Sequence, residues 1–397
     1  MGVSDSHHRS IRIGIIFIFG ALLSSAYSDP SAKLNPTQER PPARQWQPNQ
    51  ASFDEDYVGT SKCIQCHADK VGQQTTAMAK ALELADGCQI LRANARLTFR
   101  QAPYSYRIAR EGDRRVYSVS DGANTISAPI LYCFGQGAAG QTYVFEHNGA
   151  LYESRVSFYK AIRGLDITLG HARGVPKSLD EAAGNRMTPA DARSCFGCHS
   201  AAAANKTQLR LDRLIPGVSC ESCHGPGEKH VAAFTAGAAG DLKDKRIFNP
   251  AVLDTEGQSN FCGACHRTWE DVAQMILERR QNNQELGINS VRFQPYRIAN
   301  SPCYAPAVMD DRRISCTACH DPHKDVEHKP AFYDAKCAAC HNTTTKAGQT
   351  EGRKLKTCPV GKQNCVTCHM PKYDLPGSHF KFTDHHIRVV RPNESVW

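Results

Sequence analysis

Seven times the sequence repeats Cys-x-x-Cys-His: Cys63, Cys66 and His67; Cys195, Cys198 and His199; Cys220, Cys223 and His224; Cys262, Cys265 and His266; Cys316, Cys319 and His320; Cys337, Cys340 and His341; Cys365, Cys368 and His369. These copies use fourteen of the eighteen cysteines. Two thiols separated by two residues can add across the two vinyl groups of one porphyrin edge, and the histidine that follows lies under the ring and ligates its iron. One copy alone would read as well as half a zinc site or a redox-active dithiol. Zinc, however, does not require a histidine directly after every pair, and histidine is only 17 of 397 residues. No βαβ pattern supports a thioredoxin-like site. The repeat predicts seven covalently attached haem c groups.

A low-spin haem of this type takes a sixth ligand, usually His or Met, opposite its first histidine. Outside the N-terminal stretch and the motifs the candidates are His147, His171, His230, His323, His328, His379, His385 and His386. His323 follows the fifth motif in CTACHDPH. It cannot reach the far face of the haem whose near face His320 takes, so as a ligand it must serve a neighbour, and one backbone segment would then hold two irons. His230, in CHGPGEKH, stands in a similar position. His147 precedes the Asn148-Gly149 turn and His386 adjoins His385, and both are expected to be solvated; His171 and His328 stay open. After the first motif come Gln73 and Gln74. Its haem could take Met78, borrow a distant histidine or stay five-coordinate, and Met78 could equally be core packing.

The elements that must position these groups divide the chain. His7, His8, Arg9 and Arg12 precede the apolar run Ile13–Leu23 and the small-residue site Ala26-Tyr27-Ser28, which predicts a cleaved secretory signal peptide over 1–28. The run falls short of the ~20 residues a membrane helix needs. A periplasmic or secreted location follows, with no membrane span in the mature chain. Residues 29–55 are proline-rich and predict a tether. Region 56–190 should hold one haem and a small antiparallel β-insert of four to six strands over about 103–160, marked by alternation around Glu111-Gly112-Asp113 and Asn148-Gly149. The residues from Cys63 to Asp86 look helical by composition. Region 191–397 should be hexahaem, with one clear helix in TWEDVAQMILERR, Trp269, Val272, Met275 and Ile276 sharing a face. The expected fold is a mainly α, loop-rich multihaem architecture with that small β-insert.

With these motifs the sequence resembles the multihaem c-type cytochromes with doubled C-x-x-C-H motifs, related to the tetrahaem electron carriers of ammonia oxidisers. The likeness rests on all seven motifs and on YVGTSKCIQCH, SCESCHGPGEKH, CTACHDPH and CVTCHMPK…SHFKFTDHHIRV. It implies that His379 and His385 of the closing phrase are further iron ligands. It also implies electron transfer with other redox proteins by transient docking, and possible assembly with further cytochromes. Relatives include enzymes acting on small nitrogen or sulfur compounds at a five-coordinate haem. The first haem is the place for such chemistry, with Tyr104, Tyr106 or His147 lining it if the β-insert folds over.

The remaining cysteines, Cys88, Cys133, Cys303 and Cys358, allow three pairings, of which Cys88–Cys133 and Cys303–Cys358 are expected. The net charge of +9 is largely a counterweight to haem propionates. No basic stripe interleaved with aromatics argues for nucleic acid.

Overall fold

The computed structural model describes residues 46–236, 247–281, 286–304, 314–341 and 358–391. The expected signal peptide lies outside them, as does the tether up to residue 45. Residues 46–55, the end of that tether, are pinned to the body: Trp46 Nε1 donates to the Ser222 carbonyl at 2.9 Å and Arg213 to the Phe53 carbonyl at 2.6 Å.

Nine strands form one antiparallel sheet: β1 (Leu82–Leu84), β2 (Arg96–Gln101), β3 (Tyr104–Glu111), β4 (Arg114–Ser120), β5 (Thr125–Phe134), β6 (Gln141–His147), β7 (Ala150–Tyr159), β8 (Gly164–Ile167) and β9 (Gly184–Arg186). β2 to β8 pair in sequence order, β1 adds to β5 and β9 to β7. β8 returns beside β2, so the sheet closes nearly into a barrel. Alternation sets the faces: Tyr104, Tyr106 and Ile108 point into the core while Ser105 is exposed. Asn148 and Gly149 turn β6 into β7 with φ of 50° and 71°, as a two-residue hairpin requires. Irregular register at Ile130/Tyr132 and Thr142/Val144 marks bulges that bend the sheet. The interior is aromatic, with Tyr106, Tyr117, Tyr143 and Phe145 almost wholly buried.

This sheet overturns the expected mainly α fold with a small β-insert. The strands run from residue 82 to 186, well beyond 103–160. The segment after the first motif, expected as helix, is a 3-10 turn (Ala68–Thr75) followed by β1. Its backbone is recruited elsewhere: Gln73 Nε2 donates to the Val218 carbonyl at 2.6 Å, and the Met78 carbonyl accepts from Val218 N–H at 3.0 Å. Tertiary bonds outweigh the modest helix propensity of Ala, Leu and Lys.

The helices are short. They are α1 (Thr60–Cys63), α2 (Gln89–Ala93), α3 (Leu179–Ala183), α4 (Pro189–His199), α5 (Cys220–His224), α6 (Glu228–Thr235), α7 (Thr255–His266), α8 (Trp269–Gln281), α9 (Gln294–Ala299), α10 (Cys316–Cys319), α11 (Pro330–His341) and α12 (Cys365–His369). The helix expected in TWEDVAQMILERR is α8. Val272 is its buried contact, against Leu286 and Phe293, while Trp269 is half exposed. No helix among the described residues is long and apolar enough to cross a membrane.

Candidate haem-attachment sites

Every motif lies on or beside a helical turn: α1, α4, α5, α7, α10, α11 and α12 in order. On such a turn, residues three and four apart share a face, so both cysteines and the histidine are presented together. Local sequence fixes where the turns begin. Thr188 caps α4, accepting from Asp191 N–H at 3.1 Å while Asp191 accepts from Thr188 N–H, with Pro189 at the first position. Asp254 caps α7 by accepting from Gly257 N–H at 2.7 Å.

The imidazoles are oriented for metal. Nδ1 of His199 lies 2.9 Å from the Ala81 carbonyl, Nδ1 of His224 2.9 Å from that of Phe248, and Nδ1 of His369 2.9 Å from that of Arg388. A carbonyl only accepts, so Nδ1 carries the proton and Nε2 keeps its lone pair. His385 shows the same device, Nδ1 to the Thr383 carbonyl at 3.0 Å. Burial pushes His199, His224, His266 and His320 below the usual imidazole value, and His385 down to about 4, so these rings stand neutral.

Three motif histidines each have a histidine from outside the motifs beside them. Ring centroids are 6.4 Å apart for His67 and His230, 6.1 Å for His224 and His323, and 6.3 Å for His320 and His385. These separations match two imidazoles bound to one metal from opposite sides with bonds of about 2 Å. The donors therefore fit haem c, whose iron would supply one-electron redox chemistry at each site. His323 stands beside a histidine of a motif other than its own. His230 is the residue beside the first motif, and Met78 is only half-buried.

The motifs also touch one another. Motif thiols lie beside one another: Cys63 beside Cys220, Cys198 beside Cys265, Cys262 beside Cys316, and Cys337 beside Cys365. Phe248, whose carbonyl holds His224, lies 5.8 Å ring to ring from Phe261 on α7, and His320 lies 6.0 Å from Tyr333 on α11. In order of contact the motifs run first, third, fourth, fifth, sixth, seventh, with the second joined to the fourth.

His379 goes elsewhere. At φ 52°, its Nε2 sits 2.8 Å from Asp166 Oδ2 and its ring 4.9 Å from Tyr159, which ties the C-terminal segment to the barrel. Among the described residues His199, His266, His341 and His369 have no second histidine in ring contact. Tyr104 and Tyr106 are in the barrel core, so they do not line the first motif. His147 is half-buried with its ring 5.6 Å from Tyr152, and His328 is exposed. Cys88 and Cys133 are fully buried free thiols, and the Cys88 thiol donates to Gln141 Oε1 at 3.2 Å. Cys303 is half-buried and Cys358 exposed, both as free thiols.

Two positioning residues escaped the sequence reading. Glu221, inside the third motif and fully buried, accepts from the N–H groups of Val58, Gly59 and Gly227, each at 2.8 Å, and so clamps the entry to the first motif. Asp384, fully buried, accepts from Arg297 Nε and Nη2 and from Arg388 Nη1, all at 2.7 Å. Burial raises its carboxyl, yet the Arg297 guanidinium and its other donors hold it below the usual range. No spacing rule marks either residue.

Residues 171–225, spanning the second and third motifs, match the family model described as cytochrome c554 and c-prime. The chain is also 24% identical over 225 residues to the multiheme cytochrome MtrA of Shewanella baltica (strain OS185), covering 50% of this chain and 59% of that protein. It thus spans less than two thirds of that relative's length. No solved structure matches the chain. The repeated attachment motif, the oriented imidazoles and these two likenesses support a multihaem c-type cytochrome family for the chain.

Proposed function

We propose that the chain is an exported heptahaem electron carrier, passing electrons between redox partners through closely packed, mostly bis-histidine haems. The observation that carries this reading is the set of three histidine pairs, 6.1 to 6.4 Å apart. An iron with both axial positions filled exchanges electrons without offering a site to substrate. His67, His199, His224, His266, His320, His341 and His369 are the first ligands, and His230, His323 and His385 serve the first, third and fifth haems. His379, bonded to Asp166, is left out of the ligand set.

The contacts between motifs support a route from the first haem through the third, fourth and fifth to the sixth and seventh, with the second as a branch. Among the motif cysteines only Cys66, Cys340 and Cys368 are exposed, and they belong to the two ends of this route. Partner redox proteins, further cytochromes included, would dock there. The signal-like N-terminus supports a periplasmic or secreted setting.

Electron paramagnetic resonance of the oxidised holoprotein, with the haems counted per chain, tests this reading. Seven low-spin ferric haems are expected. A high-spin component that shifts on adding nitrite or hydroxylamine would establish the enzymatic alternative instead. In the same measurement His323→Ala should keep seven attached haems and turn one high-spin.

A further inference from the structure

The second motif is built onto the outer wall of the barrel. Phe196 of α4 packs edge-on against Tyr132 and Phe134 of β5, at 4.9 and 5.1 Å, and the His199 ring lies 5.2 Å from Phe134. Cys195 packs against the same cluster, which includes Val144 and Leu151. Strand pairing extends this surface in one row: Tyr132 opposite Val144, Val144 opposite Glu153, and Glu153 opposite Asn185. The row turns polar where it leaves the apolar cluster. Gly184 lets β9 come this close, since a Cβ there would meet the Glu153 carbonyl oxygen at 2.0 Å.

His171 closes the polar end. Its backbone N–H donates to the Thr168 carbonyl at 3.0 Å. Its Nε2 lies 2.9 Å from Glu153 Oε2 and 3.1 Å from Asn185 Nδ2. The side chain is 2% exposed, and its Nδ1 is buried with no hydrogen-bond partner. A proton on Nδ1 would be buried without an acceptor and would aim the Nε2 lone pair at a carboxylate. With the proton on Nε2, and the Asn185 amide turned so that its oxygen and not Nδ2 faces that N–H, both faults disappear, and Nδ1 becomes a buried lone pair facing no donor. An imidazole held by a carboxylate through one nitrogen, with the other free, is arranged as metal-ligating histidines are. Glu153 stands opposite Val144, a member of the cluster on which Phe196 and Cys195 pack, which sets this pair beside the second motif.

We infer that His171, oriented by Glu153, is the sixth ligand of the haem held by Cys195, Cys198 and His199, bound through Nδ1. The barrel thereby supplies an axial ligand as well as a wall, and the branch haem is closed to substrate. This rests on the proposal that the second motif carries haem.

The test is His171→Ala in the full-length holoprotein, read by haem count and by electron paramagnetic resonance and magnetic circular dichroism of the oxidised form. The expected result is an unchanged haem count, one haem converted from low to high spin, and its return to low spin on adding imidazole. An unchanged spin state at full haem load overturns the assignment. His171→Met covers the case in which alanine weakens the barrel: the charge-transfer band of one methionine-ligated ferric haem supports the assignment, and its absence in the folded holoprotein overturns it. Wild-type haem count and spin state separate the two readings. Missing haems, or a high-spin haem already present in wild type, defeat the carrier proposal whatever His171 does.

Discussion

Six consecutive residues of β7, Ser154 to Tyr159, are buried, whereas α11, which carries the sixth motif, has no buried residue along its length. The same holds for α10 and α12. The barrel closes around its own tyrosines and phenylalanines, so its sequence holds everything its interior needs. Among the described residues, the last three motifs have turns and cross-bridges but no side-chain core. Burial of apolar surface is the main favourable term in folding, and on the proposed heptahaem reading the porphyrins would supply it there. On that reading one chain combines a region that folds as ordinary sheet with a region whose core is delivered as cofactor.

The largest test of that contrast removes the cofactor. Chain produced without haem attachment should be cut by trypsin throughout the motif-bearing segments after His199, while a fragment spanning about 82–186 survives; mass spectrometry of the digest decides, and uniform resistance would break the contrast. Next, Phe145→Ala, in the barrel core, should cost about 3–5 kcal/mol in denaturant unfolding while the haem count stays the same. Asp384→Ala should also cost about 3 kcal/mol or somewhat more, because it leaves Arg297 buried without its carboxylate. Here, though, the loss should fall on the spectrum of the haem near His385 and spare the barrel. The smallest effect belongs to the seam between the regions: Thr188→Ala removes the cap of α4 and should lower stability by about 1 kcal/mol, with all haems attached.

The attachment residues were legible in the sequence because covalent chemistry fixes their spacing within one turn. The partners were legible only as a pool. His230, His323 and His385 stood out from their phrases, but which ring each would face depends on contacts between distant segments. His171 had no signal, since its setting is made by β7 and β9, and β9 is three residues long. The barrel was half read. β3 to β7 alternate clearly, whereas Leu82–Leu84 sits in an Ala- and Lys-rich context that reads as helix, and Gly164–Ile167 is too short for periodicity. Glu221 was hidden inside a motif whose inner positions were taken as free to vary.

The histidine pairs have a consequence for the order in which the molecule is made. His67 faces a residue that emerges only with α6, His224 waits for the segment after the fifth motif, and His320 waits for the end of the described chain. With haem attached as the chain emerges, the proposed bis-histidine ligation would leave each of these irons open on one side until its later segment arrives and closes a long loop. Maturation would therefore be completed from the C-terminal end, and chains cut short after the sixth motif should accumulate with a reactive, gas-binding iron at the fifth.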